Sequence, residues 1–117
     1  MNISVLASGS RGNCTLIYDD NNAILIDMGI STRKLKQALA QLHLNIEDLD
    51  AIFITHEHID HIAGLGVIAR RYGIPMYATG ETVDAILHTN DIVDSDSSYS
   101  SNINITQEIR DAFKNYI

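Results

Sequence analysis

The sequence is poor in cysteine, proline and long apolar runs. Cys14 is the only cysteine, so an internal disulfide is impossible and a cytoplasmic location is the expectation. Pro75 is the only proline, and 45% hydrophobic with 20% charged residues is typical of one globular domain. No apolar run reaches the roughly 18 residues of a membrane span, and the N-terminus lacks a basic segment followed by an apolar one. We therefore expect neither export nor a membrane partner.

Basic residues are also scarce. Eight Lys and Arg stand against fifteen Asp and Glu, which gives a formal net charge of −7. A surface of this charge repels phosphate backbones, so composition argues against nucleic-acid binding. Bound divalent ions could still make one site locally positive on an acidic protein.

Apolar periodicity and turn-forming residues predict an α/β arrangement over residues 1–89. The predicted strands are residues 2–7, 14–18, 23–27, 49–54 and 75–78. The predicted helices are one capped by Ser31, one over residues 62–72, and one from Thr79 to about residue 88. Residues 90–104 are rich in Asp, Ser and Asn and predict a loop, with a short terminal helix over residues 106–116. The segment 90–117 is otherwise unassigned.

A cluster of metal-binding residue types directly follows the predicted strand at residues 49–54. His56, His58, Asp60 and His61 fall within six residues. Imidazole and carboxylate suit zinc, and also manganese or iron(II). His56 and His58 can approach one ion and Asp60 and His61 a second, and a hydroxide bridging two ions is a nucleophile at neutral pH. The alternative is a loop whose histidines are merely hydrogen-bonded. The whole chain has only five histidines, however, and chance alone would seldom place three of them and an aspartate within six residues.

These residues resemble the signature of a known family. Residues 55–61, which read Thr-His-Glu-His-Ile-Asp-His, and Gly64 resemble the H-x-H-x-D-H motif of the metallo-β-lactamase superfamily, which also has a strand-ending aspartate like Asp27. Residues 8–13 and 77–79 further resemble the small bacterial branch often called YycJ or WalJ. Members of that branch resemble phosphodiesterases or nucleases, so the resemblance implies a nucleic acid or another phosphodiester as substrate.

The resemblance implies a fold. The family packs two β-sheets face to face between helices in an αββα sandwich. Residues 1–89 would supply its N-terminal half, one mixed β-sheet with flanking helices. The inner face of that sheet would then be partly open, and the residues expected on it are Ile3, Val5, Leu16, Ile24 and Ile26.

The resemblance also implies roles in the site. It implies two divalent ions, with zinc preferred, and four ligands: His56 and His58 for the first ion, Asp60 and His61 for the second. Asp60 would also accept a hydrogen bond from bridging water and so take part in catalysis. Asp27 would orient the histidine loop, although capping a strand-end turn is the alternative. Ser8 and Asn13 would line the substrate side, where an ordinary turn role is equally compatible with the sequence.

The sequence departs from the family in its missing ligands. A complete member also needs a His, an Asp and a final His from a C-terminal half, and no histidine follows His88. With two ligands per ion, metal affinity is expected to be weak. We therefore expect a truncated hydrolase that is inactive alone and needs a complementing C-terminal half. The alternative is a non-catalytic metal-binding or interaction module, or a gene remnant, that self-associates through its open sheet.

Overall fold

A computed structural model of the chain describes residues 1–10, 12–56 and 63–87, together with the backbone of residues 113–116. The described strands are β1 (Asn2–Ala7), β2 (Cys14–Tyr18), β3 (Ala23–Ile26), β4 (Ala51–Phe53), β5 (Met76–Ala78) and β6 (Phe113–Tyr116). The described helices are α1 (Thr32–Ala40), α2 (Leu65–Arg71) and α3 (Gly80–Leu87), with a 3₁₀ turn at Ile46–Asp48. These elements confirm the predicted mixed α/β class.

The strands form one sheet in chain order. β1, β2 and β3 pair antiparallel, whereas β3, β4, β5 and β6 pair parallel. The antiparallel part includes the hairpin of β2 and β3. The Asp19 carboxylate closes its turn by accepting the backbone N–H groups of Asn21 and Asn22 at 2.8 Å each. These two bonds hold the pKa of Asp19 below its ordinary value. Parallel strands need crossover connections, and α1 and α2 supply them between β3, β4 and β5.

The helices pack on one face of the sheet. Register places Leu16, Leu25, Ile52 and Met76 side by side on this face, and all four are fully buried. The helices contribute further large apolar side chains to the same cluster, which are Leu35, Leu39, Leu65, Ile68, Val83 and Ile86. Helix starts follow the predicted caps, since Ser31 Oγ accepts the Lys34 N–H at 3.2 Å and Thr79 Oγ1 accepts the Thr82 N–H at 3.2 Å.

The opposite side of the sheet, here called the open face, is formed by Ile3, Val5, Ile17, Ile24, Ile26, Phe53 and Tyr77. Ile3 and Val5 are 68% and 63% exposed. Phe53 and Tyr77 stack with ring centroids 5.2 Å apart. In the described ranges, none of these side chains belongs to the buried cluster under the helices. The expectation of an open apolar face is thus met for Ile3, Val5, Ile24 and Ile26.

Two sequence-based expectations need correction. Leu16 lies on the helix-covered face and not on the open face, because side chains alternate along a strand and Ile17 takes the open position. The predicted terminal helix over residues 106–116 is wrong for Phe113–Tyr116, which pair with β5 as a parallel strand. The backbone groups at the edge of β5 offer hydrogen bonds there, whereas an isolated helix of this length is marginal in water. The rest of that helix prediction lies outside the described residues.

No helix within the described ranges is both long and apolar enough to cross a lipid bilayer.

Candidate functional site

The histidine segment begins where β4 ends. The Ile54 N–H donates to the Tyr77 carbonyl oxygen at 3.0 Å, after which Thr55 and His56 are exposed at the carboxyl end of the parallel strands. His56 is the predicted ligand that lies in the described part of the chain. Three others, His58, Asp60 and His61, lie outside the described residues.

Asp27 holds the start of the segment. It follows β3, the strand beside β4, and its Oδ1 and Oδ2 accept hydrogen bonds from the backbone N–H and the hydroxyl of Thr55, both at 2.7 Å. The Asp27 N–H donates to the Phe53 carbonyl oxygen at 2.7 Å. Asp27 is only 5% exposed and has a φ of 66°, a left-handed conformation that aspartate tolerates better than most residues. The carboxylate therefore faces the histidine segment, as an orienting residue must; its role toward a metal stays a prediction.

Thr55 connects Asp27 to His56. Its Oγ1 lies 3.0 Å from His56 Nδ1 and at the same time donates to the Asp27 carboxylate. Thr55 belongs to the motif that is visible in the sequence, but the sequence alone assigns it no role. The available signal was positional, because the ends of adjacent parallel strands meet at one edge of a sheet and Thr55 and Asp27 each follow such an end.

The far end of the segment is anchored beside Asp27. The Gly64 N–H donates to the Met28 carbonyl oxygen at 2.9 Å. A Cβ at Gly64 would overlap the Ile30 carbonyl oxygen and lie 2.8 Å from Met28 Cε, so only glycine fits without displacement. Thr55 and Gly64 thus attach to consecutive residues, 27 and 28. Both ends of the stretch that carries the predicted ligands are held at one place on the sheet edge.

The loop between β1 and β2 borders the same place. The side-chain amide of Asn13 accepts the Gly9 N–H at 3.1 Å and donates to the Gly9 carbonyl oxygen at 3.0 Å, which closes the turn. The Asn13 carbonyl oxygen accepts the Gly29 N–H at 2.8 Å. Asn13 therefore has a turn role and also joins this loop to the residues after Asp27. Ser8 is exposed in the same loop; contact of either side chain with substrate stays a prediction.

Cys14 is the remaining reactive residue type near Asp27. It is 1% exposed and belongs to the apolar cluster, so it packs as a small buried hydrophobe. Burial, and secondarily the charge of Asp27, raise the pKa of the Cys14 thiol from 9.0 to about 12. A thiol with this pKa is protonated at neutral pH, so Cys14 is not a nucleophile of the site.

Across residues 1–10, 12–56 and 63–87, no three His, Cys, Asp or Glu side chains come together as a metal site. This finding leaves the metal prediction untested, because three of its four ligands fall in residues 57–62. The surroundings fit an imidazole ligand in one respect: His56 is oriented through its Nδ1 by a neighbouring hydrogen-bonding group, as metal-binding histidines usually are.

Comparison with known proteins identifies the family. The model of the metallo-β-lactamase superfamily matches residues 7–111. The chain is 41% identical over 99 residues to exodeoxyribonuclease YycJ of Bacillus anthracis, which covers 85% of this chain and 38% of that protein. It is 45% identical over 95 residues to exodeoxyribonuclease WalJ of Streptococcus pneumoniae, covering 81% and 35% respectively. The chain therefore spans little more than a third of the length of these relatives.

Solved structures agree on the fold. The Rm3 metallo-β-lactamase superposes with a TM-score of 0.62 at 26% identity, covering 79% of this chain and 34% of that one. A B3 metallo-β-lactamase with an active-site glutamic acid gives a TM-score of 0.63 at 22% identity, which supports the fold alone. The predicted resemblance, both to the superfamily and to the YycJ and WalJ proteins within it, is confirmed. This chain belongs to the metallo-β-lactamase superfamily.

Proposed function

We propose that this chain carries one part of the active site of a metal-dependent nuclease or related phosphodiesterase. In this proposal His56 and His58 bind one divalent ion, and Asp60 and His61 bind a second, with zinc preferred over manganese or iron(II). Asp60 also accepts a hydrogen bond from the attacking water. The ions supply a water nucleophile that is active at neutral pH, since a bound metal can lower the pKa of water from 15.7 to about 7.

One observation carries the proposal: the hydrogen-bonded group of Asp27, Thr55 and His56 at the carboxyl edge of the sheet. The group holds an imidazole at the start of the histidine motif, and Gly64 holds the other end of the motif to Met28. Ligands and catalytic groups of α/β proteins are commonly found at this edge. The choice of a phosphodiester substrate rests on the exodeoxyribonuclease relatives.

The net charge of −7 opposes binding of DNA by the surface as a whole. The proposal therefore requires the bound ions to supply the attraction for a phosphodiester, because two divalent cations reverse the field of the carboxylates around them. DNA binding by this chain should accordingly depend on metal, and it should be absent in the presence of a chelator.

We further propose that turnover needs ligands from outside these 117 residues. The four predicted ligands provide two donors for each ion, whereas catalytic zinc sites use three protein ligands. A continuation of the polypeptide or another subunit would supply the others. This requirement makes the chain a metal-binding part of a nuclease that has little activity by itself.

The test is complementation. The chain is mixed, with zinc or manganese, with the portion of the Bacillus anthracis relative that it does not match, and cleavage of end-labelled single-stranded and double-stranded DNA is followed. Cleavage by the mixture and not by either part alone is expected. His58→Asn should abolish both cleavage and high-affinity metal binding, measured by competition with a chromophoric chelator.

His43→Asn is the matched control, because His43 is exposed outside the motif and asparagine tolerates its φ of 60°. This variant should leave cleavage and metal affinity unchanged. A mixture that binds metal in full and still cuts no DNA would remove the nuclease proposal. Undiminished metal binding by His58→Asn would remove the ligand assignment.

The open face favours a second candidate, a non-catalytic module that self-associates. Ile3 and Val5 are more than half exposed, and an apolar sheet face of this kind marks an interaction surface or an aggregation risk. A second copy could cover it by packing sheet against sheet. This candidate predicts that the mass of the protein in solution increases with its concentration.

A further inference from the structure

The hydrogen bonds around Thr55 have a direction that follows from the chemistry of their groups, given an ionised Asp27 carboxylate. A carboxylate can only accept, so the 2.7 Å contact between Asp27 Oδ2 and Thr55 Oγ1 uses the hydrogen of the hydroxyl. A hydroxyl has one hydrogen, and Thr55 Oγ1 must therefore act as acceptor in its 3.0 Å contact with His56 Nδ1. The hydrogen of this second contact then belongs to the imidazole.

We propose that Thr55 is a positioning residue that selects the tautomer of His56 with hydrogen on Nδ1, so that Nε2 is the nitrogen presented to a metal ion. The proposal rests on the proposed function for the identity of the ligand. Neutral imidazole carries one N–H, and a hydrogen on Nδ1 leaves the lone pair on Nε2. The other tautomer would set the Nδ1 lone pair against the oxygen lone pairs of Thr55.

Thr55 can play this part because it cannot easily reorient. Its backbone N–H is bound to Asp27 Oδ1 at 2.7 Å, and its hydroxyl is bound to Oδ2 of the same carboxylate. Asp27 is itself buried and tied through its own N–H to Phe53. Rotating the hydroxyl hydrogen toward His56 would break a charge-assisted hydrogen bond, which is stronger than a neutral one.

The first test measures the tautomer directly in the metal-free chain. Nitrogen NMR of histidine-labelled protein at about pH 8.5, where imidazole is neutral, should show His56 with hydrogen on Nδ1. Thr55→Val should move His56 toward the Nε2–H form, and Thr55→Ser should restore the wild-type spectrum. The matched control is Thr15→Val, because Thr15 is a threonine of β2 on the same side of the sheet as the open face. This variant should leave the His56 spectrum unchanged.

Asp27→Asn gives a sharper result. The amide of asparagine can keep the bond to the Thr55 N–H through its oxygen, while its NH₂ group donates to Thr55 Oγ1. The hydroxyl hydrogen is then released toward His56 Nδ1, and the tautomer should reverse to Nε2–H. A residue with only a structural role would not reverse a tautomer in a nearly isosteric variant.

The second test measures zinc affinity by chelator competition. Loss of a partner that orients a metal-bound histidine commonly weakens metal affinity about 10- to 100-fold. We expect that loss in Thr55→Val and Asp27→Asn, near-normal affinity in Thr55→Ser, and no change in Thr15→Val. Urea unfolding of each variant checks that it is folded.

The two proposals can fail separately. If zinc is bound neither by the wild-type chain nor by its mixture with the complementing portion, the proposed function loses its metal site, and the tautomer measurement still decides the role of Thr55. If zinc binds and Thr55→Val retains both the Nδ1–H tautomer and the affinity, the role of Thr55 is overturned while the metal site stands.

Discussion

At the scale of single residues, Cys14 shows how burial removes reactivity. Its thiol lies against the apolar cluster, and its pKa of about 12 is caused first by desolvation and second by the charge of Asp27. The unfolded chain has the ordinary value of 9.0. Between pH 9 and about pH 12 the Cys14 thiol loses its proton in the unfolded chain and keeps it in the folded chain. This difference stabilises the unfolded state.

We therefore predict that the free energy of unfolding decreases at high pH. The contribution of Cys14 to the free energy of unfolding is constant below pH 9 and falls as pH rises toward 12, by about 1.4 kcal/mol at pH 10. Urea unfolding of the wild type and of Cys14→Ala at pH 7 and pH 10 measures this contribution. Subtracting the pH dependence of the variant from that of the wild type cancels the effects of all groups that the two proteins share. An equal pH dependence in both proteins would contradict this account.

The residues of the candidate site differ in how far sequence could specify them. The aspartate after β3 was predicted to orient the histidine segment, and its carboxylate does face that segment. The hydroxyl between Asp27 and His56 was not assigned, because sequence spacing does not tell which side chains of two adjacent strand ends will meet. That contact depends on the lateral order of β3 and β4.

At the scale of elements, the turn before α2 is sensitive to substitution. Gly64 lies where a Cβ would overlap the Ile30 carbonyl oxygen. Gly64→Ala should lower the free energy of unfolding by about 1 to 3 kcal/mol, the usual range for overpacking a tight contact. Zinc affinity should fall as well, because Gly64 anchors one end of the histidine segment to Met28.

Gly73→Ala is the matched control for this variant. Gly73 has a φ of 62° and nothing within 4 Å of the position of a Cβ, so alanine there faces the left-handed conformation without a steric overlap. We expect a cost of about 1 kcal/mol with unchanged zinc affinity. Equal effects of the two variants on zinc binding would show that Gly64 has no special relation to the site.

Among the helices and strands, the last strand is where local and tertiary preferences disagree. The apolar spacing of residues 106–116 favours an amphipathic helix, yet Phe113–Tyr116 pair with β5. The edge of β5 provides backbone hydrogen bonds that the local sequence pattern of residues 106–116 does not predict. Earlier elements agreed with their predictions because their local signals and their packing coincide, as in the capped helix that begins after Ser31.

At the scale of the whole molecule, two properties of the surface oppose each other. The open face favours association through apolar contact, whereas the net charge of −7 makes two copies repel. Salt screens the repulsion, with a Debye length of about 10 Å at 0.1 M, and does not weaken the apolar contact. Self-association should therefore increase with both protein concentration and salt.

Light scattering coupled to gel filtration measures this prediction. Ile3→Lys places a charge on the open face and should shift the chain toward monomer, whereas Gln37→Lys adds the same charge on the exposed side of α1 and should not. A monomer of constant mass at every concentration and salt level would exclude pairing through this face. Metal binding can be measured in the same samples, which separates the interaction module from the nuclease part.

The sequence by itself determined the α/β class, the first five strands, the three helices and the family, because periodicity, caps and a compact histidine motif are local properties of the chain. Tertiary structure decided the rest. Strand register placed Leu16 under the helices and left Ile17 on the open face, and the edge of β5 drew Phe113–Tyr116 into the sheet. The order of β3 and β4 brought Asp27, Thr55 and His56 into one hydrogen-bonded group. Such contacts join residues that are distant along the chain, and their geometry exists only once the strands are aligned.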